Sequence, residues 1–274
     1  MAAAVEAAGL GMDVTVFEAT RTLGGRARAL STGKPDGTPI TLDNGQHILI
    51  GAYSDTLALM QRVGLDLRRA LMALPLSLPY PDGTGLQTPA WAARLPAPLD
   101  ALAAIATARG WRWGERLALI QASLAWRRAG FRCEPTLTVE HLCHGLPERV
   151  MQELIEPLCV SALNLPASQA SAAVFLNVMR DALFGRGAAG FKASSLLLPR
   201  TDLGNLFPAV AAQWLQNHHA NTARVCTGTR ITGLRAVGRQ WQLTGDGVNQ
   251  AFDRVVWATP ASVAAQTLLA HADD

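Results

Sequence analysis

The sequence predicts an α/β fold in which a nucleotide-binding βαβ domain is interrupted by a mostly helical block. Three observations carry that expectation. Residues 13–18, Asp-Val-Thr-Val-Phe-Glu, are an apolar run closed by a carboxylate, the form of a parallel strand that meets a ribose at its end. A loop rich in glycine and arginine follows directly. The α/β pattern then fades near residue 66 and returns near residue 193, so two stretches of one domain flank an insertion.

The elements follow in order. Met-Ala-Ala-Ala-Val-Glu-Ala-Ala-Gly-Leu opens the chain, and its alanines with Gly9 or Gly11 as the stop predict a helix over 2–10. Strand 13–18 comes next, then a loop over 20–39 and a second strand over 40–43. Leu57, Met60 and Val63 recur at helical spacing and predict a helix over 53–63. In the insertion, Pro75, Pro79 and the Pro81-Asp82-Gly83 turn bracket short apolar runs as a hairpin. Thr138 opens one helix, Pro147 sits in the first turn of another that runs towards Cys159, and a third covers 168–183 before Gly185. After it come a strand over 195–198, a helix over 202–216, and strands over 223–226, 229–235, 240–244 and 252–257. The expected domains are therefore a discontinuous one, 1–65 with 193–274, and an inserted one over 66–192.

Composition excludes several classes. The chain has 274 residues, 49% of them hydrophobic, enough for a sizeable core. Its net charge of +3 is small and dispersed, which argues against nucleic acid as a partner. Almost every basic residue is arginine, with lysine only at 34 and 192. Cys133, Cys143, Cys159 and Cys226 have neither the density of a disulfide scaffold nor the spacing of a zinc site, so reduced thiols and no metal are expected. No stretch approaches the roughly 20 apolar residues of a membrane span, and no cleavable leader pattern opens the chain. The expected location is cytoplasmic, with any membrane contact peripheral and on the inner face. Residues 91–132 are the candidate contact, with Trp91, Trp111, Trp113 and Trp126 among seven arginines against only Asp100 and Glu115. An anionic lipid surface selects that composition, and so does a core helix with a solvated face.

The chemistry concentrates in Leu23-Gly24-Gly25-Arg26-Ala27-Arg28. Two glycines let a backbone approach a ligand closely, and a guanidinium pairs with a diphosphate through parallel hydrogen bonds. Placed six residues after Glu18, the pair of motifs points to FAD. The phosphate-binding glycines normally stand about 20 residues before such an acid. Counting back from Glu18 passes Met1, so that turn is expected to lie before these residues.

Here the chain resembles the FAD-dependent amine oxidase and phytoene desaturase superfamily, which pairs a strand ending in Glu with Gly-Gly-Arg. The resemblance implies a Rossmann-like FAD domain with an inserted, mostly helical substrate domain. It assigns the adenosine ribose to Glu18 and the diphosphate and flavin to Gly24, Gly25 and Arg26. Later strands carry Ile231, whose backbone would meet the adenine, and Ala258, Thr259 and Pro260, which would pass close to the dinucleotide. Leu42-Asp43-Asn44-Gly45-Gln46-His47-Ile48-Leu49-Ile50-Gly51-Ala52-Tyr53 is similar to the squalene-associated branch, the bacterial hydroxysqualene dehydroxylases of hopanoid synthesis. Glu156-Pro157-Leu158-Cys159 with Ala162-Leu163-Asn164, and Leu197-Leu198-Pro199-Arg200-Thr201-Asp202-Leu203, support it. That branch implies an apolar isoprenoid substrate and reductive loss of an allylic hydroxyl. The loop from Asn44 to His47 follows the strand beyond the Gly-Gly-Arg turn and is expected to reach the flavin ring or the substrate cavity. Asn44, Gly45 and Gln46 are its cofactor candidates, Asp43 braces the loop, and His47, able to exchange a proton near neutrality, is the candidate catalytic group. The competing readings are a carotenoid or phytoene desaturase, an amine oxidase, a non-catalytic isoprenoid binder of the Rab escort type, and an inactive fragment.

Overall fold

The computed structural model describes residues 1–45 and 47–269, so Gln46 and the last five residues lie outside the described residues. The chain forms two compact units. The first comprises Met1–His47, Leu59–Asp66 and Thr201–Asp274, and the second Ile48–Ala58 and Leu67–Arg200.

The chain begins with helix α1 (Ala2–Gly9), strand β1 (Val14–Glu18) and the hairpin of β2 (Ala29–Gly33) and β3 (Pro39–Asp43). Strand β4 (Leu49–Ile50), helix α2 (Ser54–Arg62) and the single turn α3 (Leu67–Ala70) lead into β5 (Leu71–Leu74) and a second hairpin, β6 (Ser77–Pro79) with β7 (Gly85–Gln87). The helical block holds α4 (Leu99–Ala106), α5 (Trp113–Arg128), α6 (Val139–Leu142), α7 (Glu148–Val150), α8 (Glu156–Leu163) and α9 (Ala172–Met179). Strand β8 (Leu196–Pro199), helices α10 (Leu203–Leu206) and α11 (Pro208–His218), strands β9 (Ala223–Thr227), β10 (Ile231–Val237), β11 (Gln240–Gly245) and β12 (Val248–Phe252), and helix α12 (Ala261–Leu269) complete it.

In the first unit β1 and β9 pair in parallel, with Glu18 opposite Thr227. One face of this pair is covered by α1 and α11. Ala4 and Ala8 of α1, spaced one turn apart, pack with Leu215 of α11 and Ala223 of β9, and Val14, Val16 and Val225 close the cluster. Small side chains on the buried stripe of α1 let the helix lie close to the strands. Strands β10, β11 and β12 form an antiparallel meander. Phe252 of the meander meets Phe17 of β1 edge to face, ring centroids 6.1 Å apart.

The second unit has its own core. Trp126 of α5 meets Phe175 of α9 edge to face at 5.9 Å, amid Val139, Cys143, Val150, Ile155 and Cys159. Such an aromatic pair adds about 1 kcal/mol to what its burial supplies. Strand β8 lies between β4 and β5, antiparallel to both. This small sheet is why 48–58 and 193–200, grouped by sequence with the discontinuous domain, cluster with the second unit.

Four local expectations differ from what forms. The loop over 20–39 contains β2, whose residues pair across to β3 from Ala29 opposite Asp43 to Gly33 opposite Pro39. Its polar composition hid it, because the hairpin is exposed along most of its length. The helix over 202–216 breaks at Phe207, since Pro208 restricts the residue before it and opens a new helix at its own first position. The expected strand over 252–257 ends at Phe252, and Arg254–Ala258 stay irregular with Val256 71% exposed. The helix towards Cys159 and the one over 168–183 each pass through a π-turn, Met151–Ile155 and Arg180–Phe184.

Candidate functional site

The described candidate cofactor residues lie in the first unit, where backbone bonds tie the end of β1 to 228–229 and the glycine-arginine loop to Asn44. Glu18 is the last residue of β1. Its Oε1 accepts the Thr20 N–H at 2.8 Å, which fixes the carboxyl at the strand end and leaves the second oxygen for another donor. The chain of 227–231 is tied to the same place: the Thr229 N–H donates to the Glu18 carbonyl at 2.9 Å and the Gly228 N–H to the Thr20 carbonyl at 2.8 Å. Ile231 thus starts β10 two residues beyond a residue bonded to Glu18.

The Gly-Gly-Arg loop is closed by its own bonds. The Ala27 N–H reaches the Gly24 carbonyl at 2.9 Å, a tight turn in which Gly24 has φ +114°. A β-carbon on Gly24 would lie 2.6 Å from the Ala27 oxygen, so the turn itself demands glycine there. Gly25 differs: its φ is +58°, yet a β-carbon on it would meet no atom within 4 Å. Gly25 is exposed, so its backbone is open to a ligand, and its left-handed φ is what favours glycine there. The second loop docks on the first, the Asn44 N–H to the Arg28 carbonyl at 2.9 Å and the Asn44 side-chain amide to the Arg26 carbonyl at 3.2 Å. The structure therefore brings Gly24, Gly25 and Arg26 together with Asn44 and Gly45. Arg26 and His47 are exposed, and Gln46 lies outside the described residues.

Three buried donors lack acceptors among the described residues, Arg28 Nε and the Trp257 indole N–H in the first unit and Arg116 Nε in the second. Buried polar atoms in folded proteins are nearly always paired. Arg28 ends the Gly-Gly-Arg loop, and Trp257 immediately precedes Ala258, Thr259 and Pro260, which are exposed. Orphaned donors on Arg28 and Trp257, beside both candidate segments, fit an acceptor-rich group such as a flavin dinucleotide.

Residues 1–272 match the sequence profile of the flavin-containing amine oxidoreductases. The chain belongs to that family. Its cofactor is FAD, and the fold of this oxidoreductase family is the one described above. Among solved structures, an oxidoreductase from Methanosarcina mazei superimposes with a TM-score of 0.59 at 15% identity, over 92% of this chain and 54% of that one. A putrescine oxidase bound to putrescine gives 0.55 at 13% identity, over 94% and 55%. A protein from Pyrococcus furiosus gives 0.51 at 15%, over 92% and 53%. The chain spans about half the length of these proteins, and at such identities the likeness is one of fold. No curated protein matches significantly.

Sequence reasoning missed a buried polar cluster in the second unit of this family member. Asp100, 3% exposed, accepts the Ser194 hydroxyl at 2.9 Å and faces Lys192 Nζ at 3.7 Å. The Lys192 ammonium also donates to the Ala93 and Leu95 carbonyls. A compact ammonium serves three acceptors in a space that a planar guanidinium fits poorly. The rarity of lysine in this arginine-rich chain was the available signal. Among the described residues no group of three or more potential ligands forms a metal centre, and no helix is long and apolar enough to cross a membrane.

Proposed function

We propose that the first unit holds FAD and that the protein removes an allylic hydroxyl from hydroxysqualene, giving squalene and water. The coarse reading rests on Glu18 at the end of a parallel strand, followed by an exposed glycine-arginine loop that ends on the orphaned Arg28 donor. The finer reading rests on the Leu42 to Tyr53 and Leu197 to Leu203 segments. The observation that carries it is the bond between Leu203 N–H and Asp43 Oδ1, 2.8 Å, which joins them.

In this reading the free oxygen of Glu18 accepts a ribose hydroxyl, and the Ile231 backbone meets the adenine. The backbone of Gly24 and Gly25 lies along the diphosphate and flavin, and the Arg26 guanidinium pairs with phosphate oxygens. Ala258 to Pro260 pass along the dinucleotide. When bound and reduced, FAD supplies the hydride that replaces the hydroxyl. Asn44 to His47 supply polarity on the substrate side, and His47 is the candidate that hands the departing hydroxyl its proton. The second unit takes the polyene.

The test is anaerobic incubation of the protein with hydroxysqualene and chemically reduced FAD. Squalene, formed in step with flavin oxidation, is the expected product. Formation of polyene from phytoene with oxidised flavin, or of aldehyde from an amine, would replace this reading by a desaturase or an amine oxidase.

A further inference from the structure

The arginine- and tryptophan-rich segment resolves into two kinds of tryptophan. Trp111 is 4% exposed and donates its indole N–H to Glu153 Oε2 at 2.7 Å, and Trp126 is 9% exposed in the core. Trp113, by contrast, is 74% exposed, and Leu117, one turn further along α5, is 54% exposed. Leu119, Ser123 and Trp126 are the buried residues of α5, so Trp113 and Leu117 begin the opposite, outward face. A large aromatic and a leucine held outward at the start of a rigid helix have no role in the core.

Charge surrounds them. Arg109 and Arg112 are exposed in the turn that leads into α5. The Arg116 guanidinium stacks at 4.9 Å from the Trp113 ring while donating to the Ala106 and Ala108 carbonyls at 2.9 and 2.7 Å, which locks both the ring and the turn. Arg149 reaches the Gly110 carbonyl. The acids nearby are engaged within the fold. Glu115 accepts the Arg112 N–H at 2.6 Å, Glu153 pairs with Arg149 and Trp111, and Glu148 takes the Gln152 amide at 2.8 Å. What faces outward is an indole held against the Arg116 guanidinium and a leucine one turn on, with exposed Arg109 and Arg112 in the turn before them.

We propose that Trp113 and Leu117, with Arg109 and Arg112, dock the second unit on an anionic lipid bilayer. An indole prefers the headgroup level, where its ring is apolar and its N–H wet, and arginine finds lipid phosphate there. This proposal is independent of which substrate the protein reduces.

Vesicles of equal parts phosphatidylglycerol and phosphatidylcholine, against phosphatidylcholine alone, test it by sedimentation with the purified protein. Binding is expected to the anionic vesicles only and to fall with added salt. Trp113→Ala with Leu117→Ala is expected to weaken partition about tenfold or more, and Arg109→Gln or Arg112→Gln about fivefold each, with the far-ultraviolet circular dichroism unchanged. With brominated phosphatidylglycerol, tryptophan fluorescence is expected to be quenched in the wild type and largely spared in Trp113→Phe. No binding to anionic vesicles, binding indifferent to these substitutions, or a dimer that Trp113→Ala dissociates would each overturn the proposal, the last by giving the face to a second copy.

Discussion

Asp43 and Leu203, 160 positions apart, are joined by a hydrogen bond of 2.8 Å from the Leu203 backbone N–H to Asp43 Oδ1. Leu203 is the first residue of α10, and its N–H is one of the donors that a helix start leaves without an internal partner. Asp202 caps the same helix through the Asn205 N–H at 3.0 Å, so a different carboxylate serves each of these two donors. Removing the acceptor in Asp43→Ala is expected to lower unfolding free energy by about 1 kcal/mol, the usual net worth of such a part-buried hydrogen bond. Asp43→Asn keeps Oδ1 and should lie near wild type. Urea denaturation midpoints of the two variants check this, and the flavin affinity of Asp43→Ala should fall with the loosened Asn44 and Gly45.

The two loop glycines should separate stability from binding. In Gly24→Ala the new β-carbon meets the Ala27 oxygen at a strained φ, and a loss of about 2–3 kcal/mol is expected. Gly25→Ala adds a methyl to open space at a left-handed φ, for a loss of about 1 kcal/mol. The flavin should reverse that order, with Gly25→Ala, where the methyl takes the ligand's space, weakening FAD more than its stability loss explains. Thermal melts and flavin fluorescence titrations on the same samples read both.

Two thiols report on the helical core. Burial pushes Cys143 up to about 12 and, with the Glu156 charge after burial, Cys159 up to about 11. A folded state that holds these protons while the unfolded chain releases them is fully favoured below the unfolded value near 9. That contribution is lost as pH rises from there towards the folded values, by about 1.4 kcal/mol per pH unit for each thiol. Stability measured in urea should therefore steepen downward above pH 9, and Cys143→Ala with Cys159→Ala should flatten the slope. In native protein, Cys133 and Cys226, only partly buried, should react with a thiol reagent before the other pair.

Glu153 sits in a π-turn and organises three partners. Its Oε2 accepts the buried Trp111 indole, its Oε1 pairs with Arg149 at 3.4 Å, and its carbonyl accepts the Tyr80 hydroxyl at 3.0 Å. Glu153→Ala orphans an indole N–H, and a loss of about 2–3 kcal/mol is expected by denaturant titration. Glu153→Gln, which retains an acceptor, should lose less than half of that.

Periodicity and punctuation made much of the fold legible. Strand β1, helix α1, the Pro81-Asp82-Gly83 hairpin and the Thr138 cap follow from local chemistry, and each formed where its residues indicated. What stayed hidden depends on tertiary partners. The β2–β3 hairpin is polar and exposed, so no alternation marks it. The segment before Pro260 has strand composition, yet no described strand pairs with it. Trp111 and Trp126 went inward while Trp113 stayed outside, a choice set by Glu153 and Phe175, which are distant in sequence. At the candidate site, Glu18 and Gly24 to Arg26 stand out by their spacing, and the structure puts them in one unit. The Lys192, Asp100 and Ser194 cluster does not stand out, because residues some 90 positions apart meet only in the fold.

The central claim is that Glu18 at the end of β1 anchors FAD, and its most direct test is the affinity of Glu18→Gln for FAD, measured by quenching of flavin fluorescence. Glutamine preserves the acceptor for Thr20 but removes the charge that a ribose hydroxyl would meet. The account predicts affinity reduced about 10- to 100-fold with an unchanged melting temperature. An affinity within threefold of wild type, or a wild-type protein that takes up no FAD, would contradict it.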